Sequence, residues 1–296
     1  MNRHIITLDN FYSHAQELRD FFEAQFSDPR EAHEMRFVWD NWYIKDQYCL
    51  TRTPPYHYFP EDMYQKFHEY LVQWGRENLG CYDISPPWLS YYKDGDFQNW
   101  HADVPHGPWA FVFSLSPKDR TFEGGRTQLL KPSILNYWEN FDASKGLERD
   151  EICEYIDPNF NRLTLFDPRF PHRVEPVRGS NDPLEARLVL HGWFTEPRPF
   201  VTDFEDEEQL IDSLNTQLEP LIENLAKFDT IQGLCSYKLY FSQNGNLERS
   251  ERTSFTFTGH LDQCEEAEDL VSDFLEKIVL PANSKPYVLT LPLIFS

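Results

Sequence analysis

Residues 186–194 read Ala-Arg-Leu-Val-Leu-His-Gly-Trp-Phe, a run of strand length in which alternate side chains would share one face. This run closes a stretch, beginning at Trp88, of short apolar segments separated by Gly, Pro and Asp. Short strands at such spacing are typical of a β-sandwich or jelly roll, so we predict a mainly β core. The candidate strands are 88–93, 109–115, 127–130, 162–166 and 186–194.

Helices are predicted on both sides of this core. Apolar residues at helical spacing indicate one helix from about Asn10 to Phe26 and a second from Pro60 to Gly80. Pro197, Pro199 and an acidic run mark a boundary, so the chain is predicted to be α+β with two domains, 1–200 and 201–296. The second is a small α+β unit with a helix (206–228), a hairpin (234–242 and 247–258), a helix (264–279) and a strand (286–295).

Composition limits the classes of partner. Of the 296 residues, 40% are hydrophobic, which is enough for a sizeable core. The net charge is -22, and residues 201–296 contribute -12 of it from 6 basic and 18 acidic residues. Nucleic-acid binding is not expected, because phosphate neutralisation needs clustered Lys and Arg. The acidity either steers a cationic substrate or partner, or only keeps the protein soluble.

The cysteines and the hydropathy pattern bear on location. The five cysteines are scattered, odd in number and without a Cys-x-x-Cys pair, so neither a disulfide framework nor a zinc ribbon is predicted. The N-terminus lacks a long apolar segment, and no apolar run is long enough to cross a bilayer. We therefore expect a cytoplasmic protein without membrane association.

Three side chains have the types and spacing of an iron site. His101 and Asp103 stand two apart, and residues two apart on a strand point to the same side. His172 follows 69 residues after Asp103 and can join them from another strand of a rolled sheet. Two imidazoles and one carboxylate on one face are the ligands of a non-haem Fe(II) that activates O2. We predict this triad as both the metal site and the catalytic centre.

Arg187 completes the pattern. The open positions on such an iron can take a bidentate 2-oxo acid, whose far carboxylate needs a cation in a dry pocket. Arg suits this because it binds a carboxylate through two parallel hydrogen bonds, and Arg187 follows His172 by fifteen residues. A second His-x-Asp motif, His260 and Asp262, has no His after it and is interpreted as a decoy at a helix start.

With these motifs in place, residues 4–197 resemble the 2-oxoglutarate/Fe(II) oxygenases of the prolyl 4-hydroxylase-like group. The resemblance implies a double-stranded β-helix (jelly roll) core, Fe(II) at His101, Asp103 and His172, and 2-oxoglutarate at Arg187. It implies O2 as co-substrate and allows for ascorbate. The further matching segments are Tyr92-Lys-Asp-Gly-Asp96, Phe122-Glu-Gly-Gly-Arg-Thr127, Arg162-Leu-Thr-Leu-Phe-Asp167, Pro171-His-Arg-Val174 and Trp193-Phe194.

The resemblance also suggests the surroundings of the iron. Tyr92 is expected beside the cosubstrate, and Trp193 as a wall of the same pocket. His191 shares the inward face of Arg187, so it either binds substrate or cosubstrate or is a core histidine bonded to the backbone. A role for His191 as an iron ligand is disfavoured because it shares a strand with Arg187. His106, just after the first motif, either touches substrate at the pocket rim or faces solvent.

The expected reaction couples oxidation of 2-oxoglutarate to succinate with hydroxylation of an aliphatic C–H bond of an amino-acid residue, free or within a peptide or protein. Two alternatives stay open: a cupin-type metalloenzyme that does not use 2-oxoglutarate, and a non-catalytic scaffold. An inward-facing Arg187 near the metal would favour the oxygenase. The domain 201–296 either binds a partner, dimerises, or only stabilises the chain.

Overall fold

The computed structural model describes residues 4–26, 38–103, 106–131 and 152–295. The chain forms two compact units, and the larger one, here called the core unit, comprises residues 5–70 and 84–194. The smaller, the tail unit, combines His4, residues 71–83 and residues 195–295. The domain boundary at residue 200 stays a prediction.

Most elements of the described residues are strands. The α-helices are α1 (Ala15–Phe26), α2 (Pro55–Tyr58), α3 (Glu61–Leu79), α4 (Glu207–Leu225) and α5 (Leu261–Leu275). The strands are β1 (Ile5–Asp9), β2 (Asp40–Ile44), β3 (Tyr48–Thr53), β4 (Cys81–Ile84), β5 (Trp88–Tyr92), β6 (Phe97–His101), β7 (Trp109–Ser114), β8 (Glu123–Gly124), β9 (Thr127–Leu130), β10 (Cys153–Ile156), β11 (Arg162–Phe166), β12 (His172–Val174), β13 (Val177–Arg178), β14 (Arg187–Pro197), β15 (Phe200–Thr202), β16 (Gly233–Phe241), β17 (Leu247–Phe255) and β18 (Tyr287–Phe295).

The core unit is an antiparallel sheet whose strand order differs from the chain order. Ten strands pair in the order β1-β11-β7-β14-β5-β3-β6-β12-β9-β10, and β2 pairs with β3. This order places β6 beside β12 and β14 beside β5, although each pair is distant in sequence. The prediction of a mainly β protein is confirmed, and the pairing is consistent with a jelly-roll-like oxygenase fold.

Helices cover one face of this sheet, and the other face lines a cavity. On β7, Phe113 is buried on one side, while Val112 lines the cavity on the other. Phe113 packs against Phe67 of α3, with ring centroids 5.0 Å apart. Arg19 of α1 is buried and donates a hydrogen bond from Nη1 to the Leu115 carbonyl, 3.1 Å away.

The tail unit is a four-stranded antiparallel sheet, ordered β15-β18-β16-β17, with α4 and α5. Asp206 caps α4 by accepting a hydrogen bond from the Gln209 amide, and Gly245, at φ +80°, makes the β16–β17 turn. The carbonyls of Glu77 and Leu79, in the last turn of α3, accept hydrogen bonds from hydroxyl groups of the tail sheet.

No helix among the described residues is long and apolar enough to cross a membrane.

Candidate active site

His101 and His172 meet because their strands are paired. In the register of β6 with β12 the two residues are directly opposite, and their ring centroids lie 4.2 Å apart. Asp103 follows two residues after His101 and joins the same cluster. One ligand atom from each of the three side chains lies within 4.8 Å of the others. In the described part of the chain, this is the one such group of His, Cys, Asp or Glu side chains.

Both imidazoles are oriented by backbone carbonyls. Nδ1 of His101 donates to the Asn99 carbonyl at 2.7 Å, and Nδ1 of His172 donates to the Phe170 carbonyl at 3.0 Å. In both rings, Nε2 is then the nitrogen that faces Asp103. Two imidazole nitrogens and a carboxylate that face one another need a proton or a cation between them. The donor set therefore fits a divalent metal, and its two nitrogens and one carboxylate suit Fe(II).

The distances around Asp103 describe the same arrangement. Oδ2 of Asp103 lies 3.2 Å from Nε2 of His172, and Oδ1 lies 3.7 Å from Nε2 of His101. Burial would raise the pKa of Asp103, but the hydrogen bond with His172 and the two imidazoles hold it below its usual range. Burial and the neighbouring His172 lower the pKa of His101. An ionised carboxylate is the state of Asp103 that binds a metal.

The segment before His101 is a tight turn from β5 into β6. Gly95 takes a left-handed conformation, φ +81°, and the Asp96 amide donates to the Lys93 carbonyl. The buried Asp96 carboxylate accepts hydrogen bonds from the Lys93 amide at 2.9 Å and from Cys49 Sγ at 3.0 Å. These bonds fix the turn and hence the direction in which β6 presents His101.

Arg187 is buried in the same cavity as the triad, with an exposed fraction of 1%. Its Nη2 donates to Thr127 Oγ1 at 3.3 Å, whereas Nε and Nη1 have no hydrogen-bond partner. Burial lowers its pKa. A buried guanidinium with two unpartnered nitrogens is costly, and a carboxylate would satisfy it. Arg187 therefore faces inward, as the oxygenase interpretation requires.

Tyr92 and a glycine turn surround Arg187. Tyr92 lies directly opposite Arg187 in the β5–β14 pairing, and the guanidinium carbon is 4.7 Å from the centre of its ring. Gly125 has φ +65°, and a Cβ there would lie 3.1 Å from Cδ of Arg187. Tyr92 also lines the cavity. The Gly-Gly sequence thus leaves the space that the arginine side chain occupies.

His191 lies on the same face of β14 and lines the same cavity. Its Nε2 is 2.8 Å from Ser90 Oγ on the neighbouring strand, so its partner is a side chain rather than the backbone. Burial, with the charge of Arg187, lowers its pKa to about 3. It stands outside the His101/Asp103/His172 group.

Trp193 and His106 stack at the mouth of the cavity. Their ring centroids are 4.5 Å apart with an interplanar angle of 28°. Trp193 lines the inner cavity, and His106 lines a second, more open groove that shares His101, Asp103 and His191 with it. Gly107 permits the stack, since a Cβ there would lie 2.4 Å from the Phe194 carbonyl oxygen.

The second His-x-Asp motif and Arg126 lie apart from this cluster, whereas Arg173 lines the inner cavity. His260 precedes α5 and makes no side-chain cap, while Asp262 lies in the first turn of that helix, so the expected Asp262 cap is replaced by a first-turn carboxylate. Arg126 pairs with Glu175 through hydrogen bonds of 2.7 and 2.9 Å.

Sequence reasoning missed Arg52, which lines both the inner cavity and the open groove. The only signal in the sequence was its place in an extended segment rich in aromatic residues.

Residues 87–195 match the family model of the 2OG-Fe(II) oxygenase superfamily. No curated protein sequence matches the chain. A Pseudomonas putida prolyl-4-hydroxylase is a similar solved structure, with a TM-score of 0.45, 16% identity, and coverage of 65% of this chain and 92% of that one.

Two further solved structures are similar. A Trichoplax adhaerens prolyl hydroxylase, in complex with a hypoxia-inducible-factor peptide fragment, has a TM-score of 0.44 and 20% identity over 65% of this chain and 83% of that one. A Burkholderia pseudomallei oxidoreductase of the 2OG-Fe(II) oxygenase family has a TM-score of 0.43 and 14% identity over 64% of this chain and 84% of that one.

Proposed function

We propose that this chain, which carries a 2OG-Fe(II) oxygenase domain over residues 87–195 and is a 2-oxoglutarate-dependent dioxygenase, hydroxylates an aliphatic C–H bond of an amino-acid residue, free or peptide-bound. The family implies Fe(II), 2-oxoglutarate and O2. The enzyme assignment sets aside the scaffold alternative, and the dependence on 2-oxoglutarate sets aside the cupin-type one.

Each side chain of the candidate active site has a role in the proposed reaction. His101, Asp103 and His172 would hold the iron, which when bound supplies the oxidising power for attack on an unactivated C–H bond. Arg187 would bind the far carboxylate of 2-oxoglutarate, beside Tyr92, with Thr127 as a second contact of the guanidinium. Trp193 would form a wall of that pocket. His191 and His106 would line the substrate side, because both border the open groove.

One observation carries the proposal: a buried, half-unpartnered Arg187 lines the same cavity as the triad. An iron site alone would not need a guanidinium there, and a structural arginine would have its hydrogen bonds satisfied. A dicarboxylate that spans the metal and Arg187 accounts for both features.

The cysteines and the tail unit bear on location and association. All five cysteines are free, which suits a reducing compartment, and we place the protein in the cytoplasm. The tail unit is proposed to bind a partner or a second copy. Its outer strand β17 carries exposed charged residues, which disfavour edge-to-edge pairing of strands as the mode of association. Light scattering of the full chain would test for a dimer.

The proposed function is tested by an anaerobic titration with Fe(II) and 2-oxoglutarate. We expect a visible charge-transfer absorption band that needs both components, then O2-dependent release of succinate. Candidate amino acids and peptides are then examined by mass spectrometry for a gain of one oxygen atom. An absence of the band and of succinate would refute the proposal.

A further inference from the structure

Arg52 is held between two indole rings. It lies on β3, and the flanking strands β2 and β5 carry Trp42 and Trp88. The guanidinium carbon of Arg52 is 3.1 Å from the ring centre of Trp42 and 3.9 Å from that of Trp88. Both faces of the planar cation are therefore covered, and cation–π attraction fixes its position. Only its N–H edge remains for hydrogen bonding.

That edge is not used within the described chain. Nε of Arg52 is buried and has no hydrogen-bond partner. None of the arginine ion pairs among the described residues includes Arg52. Asp40 is its cross-strand neighbour, but it is exposed and makes no such pair with Arg52. A guanidinium that is stacked on both faces and unpaired at its edge is prepared to receive an external acceptor.

Arg52 stands where a substrate would approach the metal ligands. It lines the inner cavity with the triad and Arg187, and it also lines the open groove with Trp100 and His106. Arg187, in contrast, lines the inner cavity but not the open groove. The two arginines can therefore serve different molecules, Arg187 the cosubstrate and Arg52 a compound in the groove.

We infer that Arg52 binds a carboxylate of the compound that is oxidised, so that the substrate is an anion. This inference rests on the proposed function and adds the chemical class of its substrate. The planar N–H edge of Arg matches a carboxylate with two parallel hydrogen bonds. At a net charge of -22 the protein as a whole repels anions, so an anionic substrate needs a local cation of fixed position. The carboxylate can belong to a free amino acid or to the C-terminus of a peptide.

The test measures succinate release with Fe(II), 2-oxoglutarate and matched pairs of compounds. Each standard amino acid is compared with its carboxamide, and a set of short peptides is compared with free and amidated C-termini. For wild type we expect at least one acid to stimulate succinate release. The corresponding amide should stimulate it about tenfold less or not at all. The amino-acid and peptide arms distinguish the two sources of the carboxylate.

Variants of Arg52 complete the test. Arg52→Gln should raise the KM for the stimulating acid about ten- to hundredfold and leave the KM for 2-oxoglutarate unchanged. Arg52→Lys keeps the charge but not the planar N–H edge. Its KM for the stimulating acid should therefore lie between those of wild type and Arg52→Gln. Arg178→Gln, at an exposed arginine of β13, is the matched control and should behave as wild type.

The possible outcomes separate the two proposals. Equal stimulation by acids and amides, stimulation by no carboxylate compound, or an unchanged KM in Arg52→Gln would overturn the role of Arg52 while wild-type 2-oxoglutarate turnover persists. A raised KM for 2-oxoglutarate in Arg52→Gln would instead assign this arginine to the cosubstrate, and so reject the inference. Absence of any turnover in wild type would overturn the proposed function and this inference with it.

Discussion

His101 and His172 are directly opposite residues of the antiparallel strands β6 and β12, and their ring centroids are 4.2 Å apart. Opposite residues of neighbouring strands have side chains on the same face of the sheet. The pairing of two short strands therefore sets the distance between two of the three proposed metal ligands. Asp103, just beyond the end of β6, completes the cluster with its amide bonded to the Pro168 carbonyl.

Asp103→Ala should lower 2-oxoglutarate-dependent succinate release by about a hundredfold or more, because the proposed metal site loses its only carboxylate ligand. The fold should remain, since Asp103 lies outside the apolar core. Succinate assay and thermal melting in the absence of metal check both statements. Asp262→Ala, in the second His-x-Asp sequence, is the matched control and should keep full turnover. Unchanged succinate release in Asp103→Ala would contradict the assignment of the iron site.

Arg187→Met should raise the KM for 2-oxoglutarate by about a hundredfold, because two charge-assisted hydrogen bonds are lost. The ligand-free protein should not be less stable, since Nε and Nη1 of Arg187 are buried without partners. Steady-state kinetics and thermal melting with and without 2-oxoglutarate measure the two effects. Arg126→Met, which breaks the pair with Glu175, serves as the control. A KM equal to that of wild type would remove Arg187 from the cosubstrate site.

Gly125→Ala should weaken 2-oxoglutarate binding by displacing Arg187, because the new Cβ would lie 3.1 Å from Cδ of that side chain. It should also cost about 1 to 2 kcal/mol of unfolding free energy for a left-handed Ala. Gly95→Ala separates the two effects, since Gly95 has φ +81° and a Cβ there would meet nothing within 4 Å. Chemical denaturation should show a loss in both variants, larger in Gly125→Ala because its Cβ would also lie 3.1 Å from Val177 and 3.2 Å from Phe122. Only Gly125→Ala should raise the KM for 2-oxoglutarate, and an equal KM in the two variants would contradict this account.

The strands and their inward faces could be predicted from sequence because alternation and turn residues are local. The predicted strand 186–194 appears as β14 (Arg187–Pro197), and the predicted helix 206–228 as α4 (Glu207–Leu225). The convergence of His101, Asp103 and His172 was predicted from the chemistry of iron together with a family resemblance. Spacing alone did not require it.

Other parts of the site depend on strand pairing, which no local pattern encodes. Arg52 lies on β3, and its stacking needs β2 and β5 on either side of that strand. Trp42 and Trp88 are 46 positions apart in the chain, so no motif links them to Arg52. The bond of His191 to Ser90 likewise depends on the pairing of β14 with β5, and the two interpretations of His191 could not be separated without it.

His191 should make the protein less stable in acid. Burial lowers its pKa from 6.5 to about 3 in the folded state, whereas the unfolded chain has the ordinary value. Between these two values the unfolded state binds the extra proton, so the unfolding free energy falls as pH decreases, by up to about 1.4 kcal/mol per pH unit. Above pH 6.5 this group contributes no pH dependence.

The variant His191→Gln removes the titrating group and keeps a side chain able to bond with Ser90. Its unfolding free energy should therefore fall less steeply than that of wild type between about pH 6 and pH 4, in urea denaturation followed at several pH values. Other titrating groups keep their own slopes, so the difference between the two proteins isolates His191. His57→Gln, at an exposed imidazole of α2, is the control for the exchange of a histidine for glutamine. Parallel curves of unfolding free energy against pH for wild type and His191→Gln would mean that His191 binds a proton as readily in the folded chain as in the unfolded one. That result would contradict the effect expected from its burial beside Arg187.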